Sequence, residues 1–394
     1  MTKIKQAEIF QVGEPAAAGG ATWAGNSILL KLTTSDGMVG WGEAVPTLRV
    51  QPVIQSLHEV ARVYVGKDPF DTEKNIHEWH RHDFYLPVSF ESTTALSAFD
   101  IACWDLMGKY LNTPVHRLTG GAFRSSVKLY ANGWYDGCVT PEQFGTRAKK
   151  YAKMGYTALK FDPFGNYYDY IDEKGLERAY ERVRAVRDYT NGKVSLLIEH
   201  HGRFNPTSAI MIARRLRDFD PLFMEEPVHP DNMRGLKKYR NAVDVRVALG
   251  ERLLTKEQVV FVLQNNLADF LQVDLTNIGG ITVAKKAASI AEAYGVEMAF
   301  HNAFGPVQNA ATIQLDASIP NFLIQESFYD CFPKWKRSLI RNAYRVTDGR
   351  CNVPDKPGLS IEIDEEILET HKASGQEPFN PSEPVWVVKD TWHP

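Results

Sequence analysis

Residues 194–251 decide the fold: Val194-Ser195-Leu196-Leu197-Ile198-Glu199, then Leu222-Phe223-Met224-Glu225, then Val247-Ala248-Leu249-Gly250-Glu251. Each time a short apolar run ends in a glutamate, and the three glutamates stand 26 residues apart. That period is one strand plus one helix, the repeat of a βα unit. Carboxylates at the carboxyl ends of three successive parallel strands converge on one point. Three hard oxygen donors at one point call for a hard divalent cation, Mg²⁺ first and Mn²⁺ as the alternative. A single acid at a strand end is commonly just solvated; three in phase make that reading poor.

The rhythm continues outward from this stretch. Candidate strands are 127–132, 158–162, 194–201, 221–226, 246–251, 270–275, 296–301 and 321–326. Helical stretches lie between them at 141–154, 176–189, 208–219, 256–266 and 283–293. Eight strands with crossovers form the pattern of an α/β fold closed into a (β/α) barrel. Before it, Ile28-Leu29-Leu30-Lys31-Leu32, Ser35-Asp36-Gly37 and Val39-Gly40-Trp41-Gly42-Glu43 spell a hairpin with an Asp-Gly turn. Residues 51–66 and 92–112 read as helices, the second rich in small apolar residues for close packing. The organisation expected is an α+β unit over 1–126, a barrel over 127–335, and a proline-containing segment over 336–394 that packs back on both.

Composition narrows the function. The chain has 394 residues, 44% of them hydrophobic, with a formal net charge of −3. No Lys/Arg block points to nucleic acid or an anionic membrane. Residues 1–15 carry no apolar signal region, and no apolar run reaches membrane-spanning length. The four cysteines, Cys103, Cys138, Cys331 and Cys351, show no C-x-x-C pairing. They are expected to be reduced, which suits a cytoplasmic protein. The histidines His77, His80 and His82 lack a ligand-spaced companion set and read as surface or loop residues.

In a (β/α) barrel the chemistry lies at the carboxyl ends of the strands. Those ends read Lys160-Phe161-Asp162, Glu199-His200-His201, Glu225-Glu226-Pro227, Gly250-Glu251-Arg252, Gln272-Val273-Asp274, His301-Asn302 and Gln325-Glu326. Strand alternation puts Lys160 with Asp162 on one face and Glu199 with His201 on another. A cation on Glu199, Glu225 and Glu251 keeps positions open for a substrate carboxylate and steadies the charge formed when an α-proton leaves. His301 is the candidate base, with Asp274 orienting its other nitrogen. His201 is the candidate acid, across the metal strands from His301. Lys160 either neutralises the acidic cluster or binds the substrate carboxylate. Asp162 is a substrate-binding or salt-bridge residue. Glu326 is structural or a hydrogen-bond donor to the enediolate. Glu226, Arg203 and Arg252 read as supporting residues.

These motifs resemble the enolase superfamily, in its mandelate racemase branch. The resemblance rests on Glu225-Glu226-Pro227, Gly250-Glu251-Arg252, Asp274 with Ile278-Gly279-Gly280-Ile281-Thr282, and His301 placed 27 residues after Asp274. Gly40-Trp41-Gly42-Glu43 and Ala98-Phe99-Asp100-Ile101-Ala102-Cys103-Trp104-Asp105 extend it across nearly the whole chain. It implies an enolase-type modified (β/α)₇β TIM-like barrel under an α+β capping domain, with Mg²⁺ on the three glutamates and a Lys or His base acting on an ene-diolate. Racemising members carry a second lysine where this chain has Asp162. The runs Ala158–Gly165 and Ile198–Phe204 instead resemble archaeal gluconate/galactonate dehydratases. That resemblance implies a hydro-lyase converting D-gluconate, with D-galactonate or a pentonate as alternatives, to a 2-keto-3-deoxy-aldonate. A hydroxy-acid racemase or epimerase is the other reading. It further implies a homo-oligomer, often an octamer, and capping loops around Trp23 and Tyr85 that close over the sugar acid.

Overall fold

Antiparallel pairing orders the first sheet β1 (Ile4–Gly13), β2 (Asn26–Thr34), β3 (Val39–Ala44), with the β2–β3 hairpin turning through Asp36 and Gly37. The computed structural model describes residues 2–13, 26–45, 49–82, 88–342 and 344–373. Helices α1 (Val50–Tyr64), α2 (Thr72–His82) and α3 (Phe90–Tyr110) cover this sheet, followed by the short α4 (Val115–Leu118). The polar stretch around His77 and His80 is thus helical, not loop. Ile76 and Trp79 form its buried side, while His77 faces solvent. Two apolar residues among many charges made too faint a stripe to predict the helix.

The barrel follows in strict alternation. Its strands are β4 (Ser126–Ala131), β5 (Ala158–Phe161), β6 (Ser195–Glu199), β7 (Phe223–Glu225), β8 (Val247–Leu249), β9 (Phe270–Leu271), β10 (Glu297–Met298) and β11 (Gln325–Ser327). Each pairs in parallel with the next from β4 to β10. A bridge between Met298 and Phe322 and the β11–β4 pairing close the ring. The crossovers are α5 (Pro141–Lys153), α6 (Glu173–Tyr189), α7 (Pro206–Leu216), α8 (Met233–Ala242), α9 (Lys256–Gln264), the pair α10 (Leu275–Ile278) and α11 (Gly280–Ala293), and α12 (Pro306–Ser318). Three of these, α8, the short α10 and α12, were not among the predicted helices. Every residue of α12 is buried, so its sequence has no polar face to mark a helical period.

After the barrel come α13 (Lys334–Ser338), the hairpin β12 (Val346–Thr347) and β13 (Arg350–Asn352), and α14 (Glu365–Thr370). β13 adds antiparallel to the first half of β4. Gly13 N donates to His371 O and Ala373 N to Gln11 O, so this segment touches both the barrel and the first sheet.

Buried hydrogen bonds fasten α3 to the barrel. Asp100 accepts from Thr282 N at 3.0 Å and Thr282 Oγ1 at 2.6 Å, and Trp104 Nε1 donates to the same hydroxyl at 2.8 Å. Asp100 reaches them only because Gly280 has no side chain. A Cβ there would lie 2.3 Å from Asp100 Oδ2, on a backbone with φ +80°. Gly280→Ala combines a steric clash with a left-handed backbone, and should cost about 3 kcal/mol of stability. The measurement is the denaturant midpoint at unchanged slope; an unshifted midpoint would show that the contact is slack.

Candidate active site

Period-two alternation builds the site in two layers. Tyr130, Ala158, Leu197, Phe223, Ala248, Ala299 and Ile324 point into the barrel and form one apolar cluster. Two residues further along the same strands stand Asn132, Lys160, Glu199, Glu225, His301 and Glu326, and Gln272 follows Phe270 in the same way. All of these second-layer residues are buried. The apolar layer is the floor and the polar layer is the site.

Glu251 breaks the alternation. By phase from Ala248 it belongs on the outer face. Gly250 corrects this with φ +150°, packed so closely on β9 that a Cβ would come within 2.6 Å of the Gln272 carbonyl carbon. With that twist, one carboxylate oxygen from each of Glu199, Glu225 and Glu251 falls within 4.8 Å of the other two.

The electrostatics of this cluster favour a cation. Lys160 Nζ lies 2.7 Å from Glu225 Oε1, 2.8 Å from Glu326 Oε1 and 3.1 Å from Glu199 Oε2. Burial opposes its charge, but Glu225, Glu326 and Glu199 overcome that and hold the ammonium well above its usual range. Glu225 is nevertheless pushed well up, first by burial and then by the charge of Glu199. Burial would raise Glu199 too, yet His201 and Lys160 hold it below the usual carboxylate range. One lysine therefore does not balance the carboxylates around it. The hard-oxygen donor set, the crowding and the near-complete burial all fit a divalent ion on Glu199, Glu225 and Glu251. Gln272 Nε2 donates to Glu225 Oε2 at 2.8 Å and fixes that carboxylate.

On one side of the cluster, His301 Nδ1 lies 2.6 Å from Asp274 Oδ2. Asp274 is held in turn by Thr276 N, Thr276 Oγ1 and Gln308 Nε2. His301 Nε2 is 3.3 Å from Glu251 Oε2 and 3.9 Å from Glu326 Oε2. Burial would lower its pKa, but the charges of Glu251 and Glu326 and the bond to Asp274 raise it to about 9. Glu326 accepts from Asn132 Nδ2 at 2.7 Å and from Asn302 N at 2.9 Å.

His201 follows β6, four strands from β10 around a ring of eight, and so stands opposite His301. Alternation alone does not put it there: His201 and Gly202 adopt φ +53° and +61°, a turn just past the strand end. Glu199 Oε1 accepts the His201 backbone N–H at 2.7 Å, and Arg252 donates to its carbonyl. The His201 ring bonds to Asp162, whose other contacts are to Arg203 and Phe164 N. His200 is buried against Phe164 and Phe204, its Nδ1 3.0 Å from Glu225 O. The structure thus brings together Lys160, Asp162, Glu199, His201, Glu225, Glu251, Asp274, His301 and Glu326. Trp23 and Tyr85 lie outside the described residues.

Sequence reasoning passed over Asn132, Gln272 and Gln308. The first two were findable by counting two residues on from an inward apolar position. Gln308 sits on the buried helix α12, which gave no signal. The capping sheet reaches the site through this helix: Glu43, at the end of β3, accepts from Val307 N at 3.0 Å and Gln308 N at 2.9 Å.

A barrel ringed by strand-end carboxylates, with a His-Asp pair on its penultimate strands and an α+β sheet over it, defines the enolase type of architecture. The chain belongs to the mandelate racemase/muconate lactonizing enzyme family: residues 8–120 match its N-terminal domain and residues 143–367 the enolase C-terminal domain-like family. It is 47% identical to the D-gluconate/D-galactonate dehydratase of Picrophilus torridus, with 100% of both chains covered. It is 46% identical to the D-gluconate dehydratase of Thermoproteus tenax, covering 100% of this chain and 78% of that one. A mandelate racemase/muconate lactonizing enzyme from a Sulfitobacter species shares the fold with a TM-score of 0.88 and 32% identity, over 95% of this chain and 96% of that one.

Chelator-treated protein given Mg²⁺ as probe should melt at a higher temperature, by about 2.7 kcal/mol of added stability at 100 times the Kd. Glu251→Gln should abolish that shift. An equal shift in wild type and variant would remove Glu251 from the ligand set.

Proposed function

We propose that this protein is a magnesium-dependent aldonate dehydratase, acting on D-gluconate with D-galactonate as a second substrate and giving the 2-keto-3-deoxy-aldonate and water. The observation that carries the reading is the pair of histidines facing each other across the glutamate cluster, each with its Nδ1 against an aspartate. The two relatives of 46–47% identity, one named for D-gluconate and D-galactonate and the other for D-gluconate, support the choice of substrate.

In this reading Glu199, Glu225 and Glu251 hold Mg²⁺, which supplies Lewis-acid stabilisation of the charge that moves onto the substrate carboxylate. Lys160 pairs with the same carboxylate. His301, with Nδ1–H donated to Asp274, takes the C2 proton at Nε2. Against its burial, Glu326 is held below the usual carboxylate range by Lys160 and His301, and it anchors that lysine beside the reacting carboxylate. His201 gives a proton to the 3-hydroxyl, which leaves as water. Base and acid on opposite sides suit loss of hydrogen and hydroxyl from opposite faces of the C2–C3 bond. The enol so formed becomes the 2-keto acid, and solvent resets the two histidines. A racemase would need a second base on the strand that ends in Asp162, and that carboxylate is engaged with Arg203.

The test is a panel of five- and six-carbon aldonates with Mg²⁺, followed by 2-keto acid formation. No turnover of any of them sinks the dehydratase reading; exchange of the C2 hydrogen with solvent deuterium and no dehydration would favour a racemase or epimerase. His301→Asn should lower kcat by at least about 10³-fold, toward the upper end of general-base contributions, while the Mg²⁺-induced melting shift survives. Retained turnover would remove His301 from the base role. Light scattering on the same preparation tests assembly into a homo-oligomer.

A further inference from the structure

The sequence offered Asp162 as a substrate-binding or a salt-bridge residue, and its surroundings are those of a fixed internal group. It is 1% exposed, and both of its oxygens are engaged. Oδ1 accepts from Phe164 N at 2.9 Å and Arg203 Nη2 at 2.9 Å. Oδ2 accepts from Arg203 Nη1 and lies 3.0 Å from His201 Nδ1. The guanidinium has little freedom either: Arg203 is 4% exposed, and its Nε and Nη2 donate to Tyr167 O at 2.8 Å and Gly165 O at 3.3 Å.

We infer that Asp162 and Arg203 are positioning residues for His201, forming an aspartate–histidine pair that mirrors Asp274–His301 across the barrel. This rests on the dehydratase reading above. Two features carry it. His201 sits in a left-handed turn just beyond β6, a place where the strand no longer dictates where a side chain points. A buried anchor is therefore needed to aim the ring. Second, the Asp162–Arg203 pair joins the loops that follow β5 and β6, which also share the bonds Asp169 N to Arg203 O and Asn205 N to Asp169 O, both at 3.0 Å. The anchor is built into two loops at once.

The pairing also selects the tautomer. Oδ2 is an acceptor, so Nδ1 carries its hydrogen toward Asp162; the 3.4 Å approach of Arg203 Nη1 to the same nitrogen is the longer contact. Nε2 is then the atom that meets the substrate, and its proton goes to the departing 3-hydroxyl oxygen as the C3–O bond breaks. Asp274 does the same for His301, so that both rings present Nε2 to the space above the glutamates.

The test compares Asp162→Asn with wild type on D-gluconate and on 3-deoxy-3-fluoro-D-gluconate, both with Mg²⁺. Fluoride leaves without a proton, so a fault confined to aiming the acid should vanish with that substrate. Expected for Asp162→Asn are a kcat on gluconate lowered about 100-fold, a KM within about 3-fold, and fluoride release near the wild-type rate. Adding Asp162→Asn to His201→Asn should lower kcat no further. An unchanged kcat, a raised KM at unchanged kcat, or fluoride release falling as far as water loss would each overturn the assignment. If Asp162→Asn does not fold, the ¹⁵N signals of His201 in the wild-type protein decide: a hydrogen on Nδ1, on a neutral or a doubly protonated ring, supports the pair, and a ring protonated on Nε2 alone overturns it. Absent wild-type turnover of either aldonate defeats the dehydratase reading instead, and the ¹⁵N signals still report on the pair.

Discussion

Like charges held close in a medium that screens them poorly constrain everything else in this molecule. Glu199, Glu225 and Glu326 converge around a single lysine, with Glu251 beside them, at the carboxyl end of the barrel strands. Such a cluster persists only where each carboxylate is gripped. The grips are specific: Gln272 on Glu225, Asn132 and the Asn302 amide on Glu326, the His201 amide on Glu199. The apolar floor beneath excludes water, which makes the repulsion stronger and a divalent ion more welcome. The same residues thus create the electrostatic problem and the chemistry that follows from solving it.

Much of this was readable from the chain, and the reasons differ by element. The barrel was legible because a βα repeat imposes a spacing that survives in the text, and the glutamates marked it three times. His301 and Asp274 were legible because adjacent parallel strands put equivalent ends side by side, and the two do meet in a parallel bridge. Strand lengths were not. Several stop two to four residues short of their predicted ends, since the chain leaves the sheet where the functional residues begin. Glu251 was placed correctly for an incomplete reason: strand phase alone would turn it outward, and only the backbone of Gly250 returns it. Asp162 was found as a residue, but its occupied surroundings depend on Arg203, 41 positions away. No local pattern reveals such a pairing.

Two of the helices missed, α2 and α12, share a cause. Sequence periodicity detects a boundary between core and solvent, so it fails for a segment with none. α12 is buried from end to end, and α2 shows only a narrow apolar side. The buried case matters more, because α12 carries Gln308, which fixes Asp274 and through it His301.

Glu43 gives this last connection a wider meaning. A residue of the first sheet caps the helix that steadies the base, so the two halves of the molecule share one hydrogen-bonded chain from β3 to the barrel mouth. Recombination between relatives that exchanged the first sheet alone would part Glu43 from the helix fitted to it. The halves are therefore bound to a common inheritance, and a change of substrate preference that starts in the cap has to be compatible with the proton chemistry below it.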